Sequence, residues 1–541
     1  MKKYNNIRVF QIAFAIIIGI HANLFAQKNT KPNIVLILVD DLGFSDISPY
    51  GANDIETPNI EKLAIEGIKL KEFYNNAICA PTRASLLTGQ YPHKAGIGFF
   101  NVNLGLPAYQ GFLNKESLTL AEVLKRGGYS TIISGKWHVG DARDQWPAQR
   151  GFDKSFGFIG GASNYYEIND SNNPDVKLLK NNQPYYLEKG KYLTEEITNN
   201  ALSFLDEQSK EKKPFFLYLA YNAPHWPLQA LPEDIAKYKG KYKKGWDSLR
   251  VERYNNAIAK GVFDRNQKIA AKDTVVQIWN KLTYDEQTYW QTRQEVYAAM
   301  VDRVDQGIGR LRDKLKELKQ DDNTIIVFIS DNGAQGGNNL RLYTSRTTGP
   351  VGTAGSYEVQ NSNWSQTGNS PLRNYKGEPY EGGISAPFIA WFPKYIKPNT
   401  IAKGTAHLID LAPTFYQLAG VGYPSNYNET VTNPLPGKSL LPLLKGETNE
   451  VKREEPLFWE RANNKAVRQG KWKLVSSVSN DNAFELYDIE SDRSENVNLA
   501  AKYPEIVERL KKEYDRWAKN NDVVDYNKLR NQPPAPVLHH R

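Results

Sequence analysis

Asn33-Ile34-Val35-Leu36-Ile37-Leu38-Val39 is a nearly continuous apolar run without alternation, and it reads as a β-strand buried on both faces. It stops abruptly at Asp40-Asp41. Three further runs behave alike: Tyr129 to Ser134 passes into Gly135-Lys136-Trp137-His138, Phe215 to Ala220 ends at Asn222-Ala223-Pro224-His225, and Thr324 to Ile329 leads to Asp331-Asn332-Gly333. Between them lie helical patterns. Thr119 to Arg126 carries Leu120, Val123 and Leu124 and is stopped by Gly127-Gly128. Arg293 to Leu318 repeats Val296, Met300, Val304, Ile308, Leu311, Leu315 and Leu318 at helix period. Strands alternating with helices predict an α/β fold with a central, mostly parallel sheet flanked by helices. Such sheets place their sites at the carboxyl ends of strands.

With 541 residues, 40% hydrophobic and 24% charged, the chain is long enough for one large domain and a smaller one, and disordered or collagen-like classes are excluded. Residues 1–26 read as a secretory signal peptide, with Lys2, Lys3 and Arg8 ahead of an apolar stretch from Phe10 to Ile20 and Ala26 before a polar run. That stretch is too short for a transmembrane anchor, and an exported, periplasmic or secreted protein is expected. The excess of 69 Lys plus Arg over 60 Asp plus Glu is mild and dispersed, which excludes a nucleic-acid partner. A single cysteine, Cys79, rules out an internal disulfide.

Two stretches, Lys237 to Asn266 and Gly333 to Asn369, read as surface insertions. Beyond Gly437 the pattern changes to short strand-like pieces, Gln469 to Val475 and Phe484 to Tyr487, followed by a helix from Tyr503 to Ala518. The expected division is a catalytic domain over 27–450 and a small C-terminal α+β subdomain over 451–541, with a loose tail from Gln532.

Asp40-Asp41 and Asp331-Asn332 offer hard oxygen ligands, suited to Ca²⁺ or Mg²⁺ rather than zinc. One such pair is simply explained as a turn cap; two in one sheet weigh against that account. Cys79 lies in Cys79-Ala80-Pro81-Thr82-Arg83, followed by Leu86-Leu87-Thr88-Gly89. An isolated cysteine is commonly a small buried hydrophobe. Here Pro81 and Thr82 would start a helix, leaving Cys79 just before an amino terminus that favours anions.

Cys-x-Pro-x-Arg with Leu-Thr-Gly behind it resembles the signature of the type I, formylglycine-dependent sulfatases, which have the alkaline-phosphatase-like α/β fold. The resemblance spans nearly the whole mature chain. Asn33 to Asp41 resembles that family's opening metal-binding strand, Gly135-Lys136-Trp137-His138-Val139-Gly140 its Gly-Lys-Trp-His-x-Gly block, and Ser330 to Gly333 its second metal pair. Ile409 to Thr414 and Glu485 to Asp488 match family patterns that carry no chemistry. Thr82 stands where many members have Ser, which keeps the hydroxyl.

The resemblance implies that a maturation enzyme oxidises Cys79 to formylglycine (3-oxoalanine), whose hydrated aldehyde attacks sulfur with one hydroxyl and expels sulfate with the other. It further implies that Asp40, Asp41, Asp331 and Asn332, with residue 79 itself, hold Ca²⁺ or alternatively Mg²⁺. Arg83 would orient the nucleophile. Lys136 and Lys376 would bind sulfate oxygens, the latter within Arg373-Asn374-Tyr375-Lys376-Gly377. His138 would pair with the formylglycine hydroxyl, and His225 would face the leaving oxygen as general acid. Ser163, in Gly160-Gly161-Ala162-Ser163, is a candidate substrate contact.

Pro224 to Ala230 and the Lys/Tyr-rich stretch after it look like the arylsulfatase branch, a label that leaves the natural ester open. The expected substrate is a sulfated polysaccharide fragment, with small aryl sulfates as the alternative. A phosphoesterase of the same fold would use Ser or Thr in place of Cys79. A glycan-binding protein with a dead site would lack a metal or sulfate residue, and a Cys/His hydrolase would need no carboxylate pairs.

Overall fold

The computed structural model describes residues 31–168, 177–337 and 344–530. The expected leader over 1–26 and the tail from Gln532 lie outside them.

The main sheet contains β1 (Asn33–Val39), β2 (Ile68–Tyr74), β3 (Ser130–Gly135), β4 (Lys154–Phe158), β5 (Leu178–Lys180), β6 (Gln183–Pro184), β7 (Phe215–Ala220), β8 (Thr324–Ser330), β9 (Phe388–Trp391) and β10 (Thr400–His407). Their spatial order is β10-β2-β9-β8-β1-β7-β3-β4-β5-β6. The central strands β8, β1, β7, β3 and β4 are mutually parallel, while β9, β5 and β6 run antiparallel to their neighbours. The predicted α/β architecture is observed.

Every residue of β1 is buried, which accounts for its unbroken apolar composition. Ile34, Leu36 and Leu38 face one layer with Leu86, Val123 and Phe415, whereas Val35, Ile37 and Val39 face the other with Val296, Met300 and Ile308. Helix Leu120–Arg126 begins at a capping box in which Thr119 and Glu122 exchange hydrogen bonds. The long helix extends over Tyr284–Glu317, a start earlier than the Arg293 apolar stripe indicates. A second capping box, Thr283 with Glu286, adds the leading turns.

After a short hairpin, β11 (Asn426–Tyr427) with β12 (Thr430–Val431), the C-terminal part forms an antiparallel sheet of β13 (Leu457–Arg461), β14 (Asn464–Gln469), β15 (Trp472–Ser476) and β16 (Phe484–Asp488). Helix Pro504–Asn520 packs on it through Leu510, Tyr514 and Trp517. The expected single strand from Gln469 to Val475 is instead a hairpin, because Gly470, at φ 58°, turns the chain between β14 and β15.

Both supposed insertions are partly internal. Lys237 to Asn266 contains helix Gly245–Ala259, whose Trp246, Leu249 and Arg253 are buried, and helix Ser362–Gly368 is buried throughout, with Trp364 against Trp246. Polar composition hides this: in the first stretch Arg253 is matched by Asp46 and Asp54 inside the fold, and the second helix is polar but uncharged.

Candidate active site

Strands β8, β1, β7 and β3 are parallel neighbours, so their carboxyl ends share one edge of the sheet. Asp331-Asn332, Asp40-Asp41 and Lys136-Trp137-His138 follow their strand ends directly, and His225 comes on the loop after β7. Asp41 and His138 hold left-handed backbone angles, φ 63° and 59°, a conformation non-glycine residues adopt at a cost. Gly135 has no substitute here: at φ 124°, an added Cβ would stand 1.8 Å from the Ala220 carbonyl oxygen. Its absence lets the Lys136 N–H donate to that oxygen at 2.8 Å.

Cys79 is the first residue of helix Cys79–Thr88, two residues earlier than Pro81 suggests, with Ile78 as the capping residue. The helix is wholly buried. The first intrahelical bond runs from the Thr82 N–H to the Ile78 carbonyl at 3.0 Å, and Pro81 has no N–H, so only the Cys79 and Ala80 N–H groups precede it. Four residues on, Arg83 directs one guanidinium nitrogen to Asp331 Oδ2 at 2.9 Å and Asp40 Oδ2 at 3.2 Å, while the other donates to the Lys136 carbonyl at 3.2 Å.

Lys136 Nζ lies 2.5 Å from Asp40 Oδ2, and Lys376 Nζ lies 2.6 Å from Asp41 Oδ1. Asn332 Nδ2 donates to Asp41 Oδ1 at 2.7 Å, and the Asp41 N–H donates to Asp331 Oδ1 at 3.1 Å. Three buried acceptors, Asp40 Oδ1, Asp41 Oδ2 and Asn332 Oδ1, receive no hydrogen bond among the described residues. Buried oxygens of this kind are costly unless a donor or cation meets them. Carboxylate and amide oxygens fit a hard divalent cation. Ligand atoms of Asp40, Asp41 and His225 lie within 4.8 Å of one another.

Burial would push the Asp40 carboxyl up, but Lys136, His225, Arg83 and Lys376 together hold it well below the usual range. Asp331 is pushed up to about 7, by burial first and by the Asp40 charge second. Burial lowers His225 to about 4. Its Nδ1–H donates to the Trp226 carbonyl at 2.8 Å, leaving Nε2 toward Asp41 Oδ2 at 3.6 Å. His138 is held well below its ordinary value by burial, then by Lys136 and Arg83. Its Nε2–H donates to Asn101 Oδ1 at 3.1 Å, and Asn101 Nδ2 in turn donates to Asp141 Oδ2 at 3.0 Å.

Cys79, His138, His225 and Lys376 line a cavity of about 590 Å³. Lys136 sits beneath it, fully buried on Asp40. Ser163 lies outside the lining, buried, with its hydroxyl donating to the Asn164 carbonyl at 3.0 Å; Gly161 and Ala162 line the wall there. Phe100, Trp226, Tyr375, Arg461 and Asn464 also line it and were not singled out from the sequence. A larger groove of about 1080 Å³, between Tyr166, Ile235 and Val351, contains none of the candidate residues.

The profile of the sulfatase family matches residues 32–421, and that of the N-sulphoglucosamine sulphohydrolase C-terminal region matches 376–520. An uncharacterized sulfatase of Schizosaccharomyces pombe is 36% identical over 514 residues, covering 89% of this chain and 92% of the relative. An arylsulfatase of Klebsiella aerogenes is 31% identical over 435 residues, covering 77% and 92%. Among solved structures, Ps i-CgsB in complex with k-i-k-neocarrahexaose superimposes with a TM-score of 0.69 at 29% identity, over 92% of this chain and 94% of that one.

Proposed function

The chain belongs to the sulfatase family, whose members are sulfuric ester hydrolases, and we propose on that footing that it releases sulfate from sulfated polysaccharide fragments through a formylglycine made from Cys79. One observation carries the reading. Cys79, at a helix amino terminus, shares a cavity with Lys376, His138 and His225 and adjoins a cluster of unsatisfied oxygens.

Asp40, Asp41, Asp331 and Asn332 would hold Ca²⁺, with Mg²⁺ as the alternative, and the ion would supply charge for a sulfate oxygen and the nucleophile. Hydrated formylglycine would supply two hydroxyls on one carbon, one to attack sulfur and one to collapse and free the sulfate. The remaining work falls to the side chains. Lys136 and Lys376 neutralise the sulfate oxygens as charge develops. Arg83, locked on Asp40 and Asp331, fixes the helix that presents residue 79. His138, steadied by Asn101, takes up the proton as sulfate is released.

His225 delivers a proton from Nε2 to the leaving oxygen, its ring oriented by the Trp226 carbonyl. Burial, helped by Lys376 and Lys136 against the pull of Asp41 and Asp40, keeps this imidazole neutral; an anionic ester seated beside it adds the charge that favours the protonated form. An unmodified Cys79 is a poor nucleophile, because burial pushes its thiol up against the opposing pull of Lys136 and Lys376. This disfavours the Cys/His hydrolase reading.

Trp226, Phe100 and Tyr375 offer apolar faces on which a sugar ring can pack, and the solved relative named above holds an oligosaccharide. We assign residues 1–26 to export, 27–450 to catalysis and 451–541 to a C-terminal subdomain, with a formylglycine-forming enzyme as the maturation partner. The test is sulfate release from a panel of sulfated oligosaccharides beside a simple aryl sulfate, using matured protein. Release from at least one saccharide, at a higher kcat/KM than from the aryl ester, is the expected result. Release from the aryl ester alone would overturn the saccharide assignment and favour small aromatic sulfates, the reading suggested by the arylsulfatase relative.

A further inference from the structure

Lys376 and Arg461 both line the cavity, and they differ in one respect. Lys376 is paired with Asp41 at 2.6 Å, whereas the Arg461 guanidinium makes no hydrogen bond or ion pair among the described residues, and its buried Nε has no acceptor. The neighbouring carboxylates are engaged elsewhere. Glu460 meets His93 Nε2 at 2.9 Å and accepts the Asn463 N–H at 2.9 Å, and Glu378 accepts the Ser477 hydroxyl at 2.8 Å. What surrounds the Arg461 guanidinium is aromatic: the Phe99 and Phe100 ring centroids each lie 5.7 Å from its Cζ.

The backbone fixes where this charge stands. Arg461 and Asn464 are the last paired residues of β13 and β14, closed by Ala462 and Asn463 at φ 50° and 69°. A two-residue turn with both angles positive is a rigid hairpin closure. The hairpin tip reaches over the Lys376 loop, where a Cβ on Gly377 would come within 3.2 Å of an Arg461 guanidinium nitrogen. Asn464 is held in the same place, its Oδ1 accepting the Val478 N–H at 2.9 Å. Arg461 thus stands beside the residue assigned to the scissile sulfate, on a separate element.

A half-buried cation whose guanidinium has no bonded counter-ion carries a desolvation cost, and an arginine fork matches the oxygens of a sulfate or carboxylate. At about 590 Å³ the cavity exceeds the needs of one sulfate group. We propose that Arg461, with Asn464 beside it, forms a subsite for a second anionic group of the substrate, a sulfate ester or carboxylate borne at a distance from the sulfate that is removed. This rests on the saccharide reading above and narrows it to multiply charged saccharides.

The experiment compares matured wild-type protein with R461A and R461K on three substrates sharing one scissile sulfate: a saccharide with no other charge, the same saccharide with a second sulfate, and one with a uronate carboxylate. The readout is the ratio of kcat/KM for the doubly to the singly charged substrate. In R461A this ratio falls at least tenfold for the second sulfate, the carboxylate or both, which identifies the group read, and R461K retains part of it because the charge stays while the fork is lost. A ratio unchanged in R461A, whether both rates fall together or neither moves, would overturn the proposal. If wild-type protein cleaves no saccharide, the saccharide reading fails on its own. The same ratio, taken on aryl sulfates with and without a distal carboxylate, then upholds or overturns the role of Arg461.

Discussion

Asp40, Asp41 and Asn332 each leave one buried oxygen without a donor, while the cations around them are already engaged on the opposite oxygens. The divalent ion proposed for this cluster would stabilise the folded state by mass action as well as serve the chemistry. Exhaustive chelation is therefore expected to abolish sulfate release and lower the thermal midpoint, with Ca²⁺ or Mg²⁺ restoring both; unchanged rate and midpoint in verified metal-free protein would contradict the assignment. Most of these residues were legible in the sequence, because apolar runs ending in Asp, Lys, His or Asn announce strand ends whatever the tertiary arrangement. Arg461 and Asn464 were not. They lie on a hairpin far along the chain, and only folding brings that hairpin over Cys79.

Helix Gly245–Ala259 shows how a polar stretch can be structural. Arg253 is fully buried, with Nη1 2.5 Å from Asp46 Oδ1 and Nη2 2.7 Å from Asp54 Oδ2, and Asp46 also accepts the Tyr297 hydroxyl at 2.7 Å. That hydroxyl lies 3.3 Å from the Asp41 carbonyl, so the helix buttresses the loop that carries Asp40 and Asp41. Arg253→Ala would strand two buried carboxylates, a loss of about 3–5 kcal/mol that a denaturation midpoint would register. A midpoint within error of the wild type would refute the buttress. Burial would raise the Asp54 carboxyl, but Arg253 wins and lowers it. A depressed carboxylate stabilises above its unfolded value of about 4, so this contribution is present at neutral pH and lost on acidification below it. The stability difference between wild type and Arg253→Ala should shrink accordingly in acid. Composition misread this segment as an insertion because its Lys, Arg and Tyr resemble surface residues until their partners are known.

Across the whole molecule, the C-terminal sheet is part of the enzyme body rather than an appendage. Trp459, Leu474, Leu510 and Trp517 belong to the same core as Leu36 and Leu86, and buried Lys473 bridges Glu381, beyond the Lys376 loop, to Glu495 at 2.9 and 2.8 Å. The α/β body was legible because buried parallel strands have a distinctive composition; the docking of the second sheet was not, since its short strands reveal neither partner nor orientation. Fold, helix position and charge arrangement all converge on residue 79. The most direct test measures, on one set of preparations matured to different extents, the fraction of Cys79 converted to formylglycine by peptide mass and the rate of sulfate release. Rate is expected to rise in proportion to conversion and to be absent from unconverted protein and from Cys79→Ala; full activity with Cys79 intact would refute the formylglycine assignment.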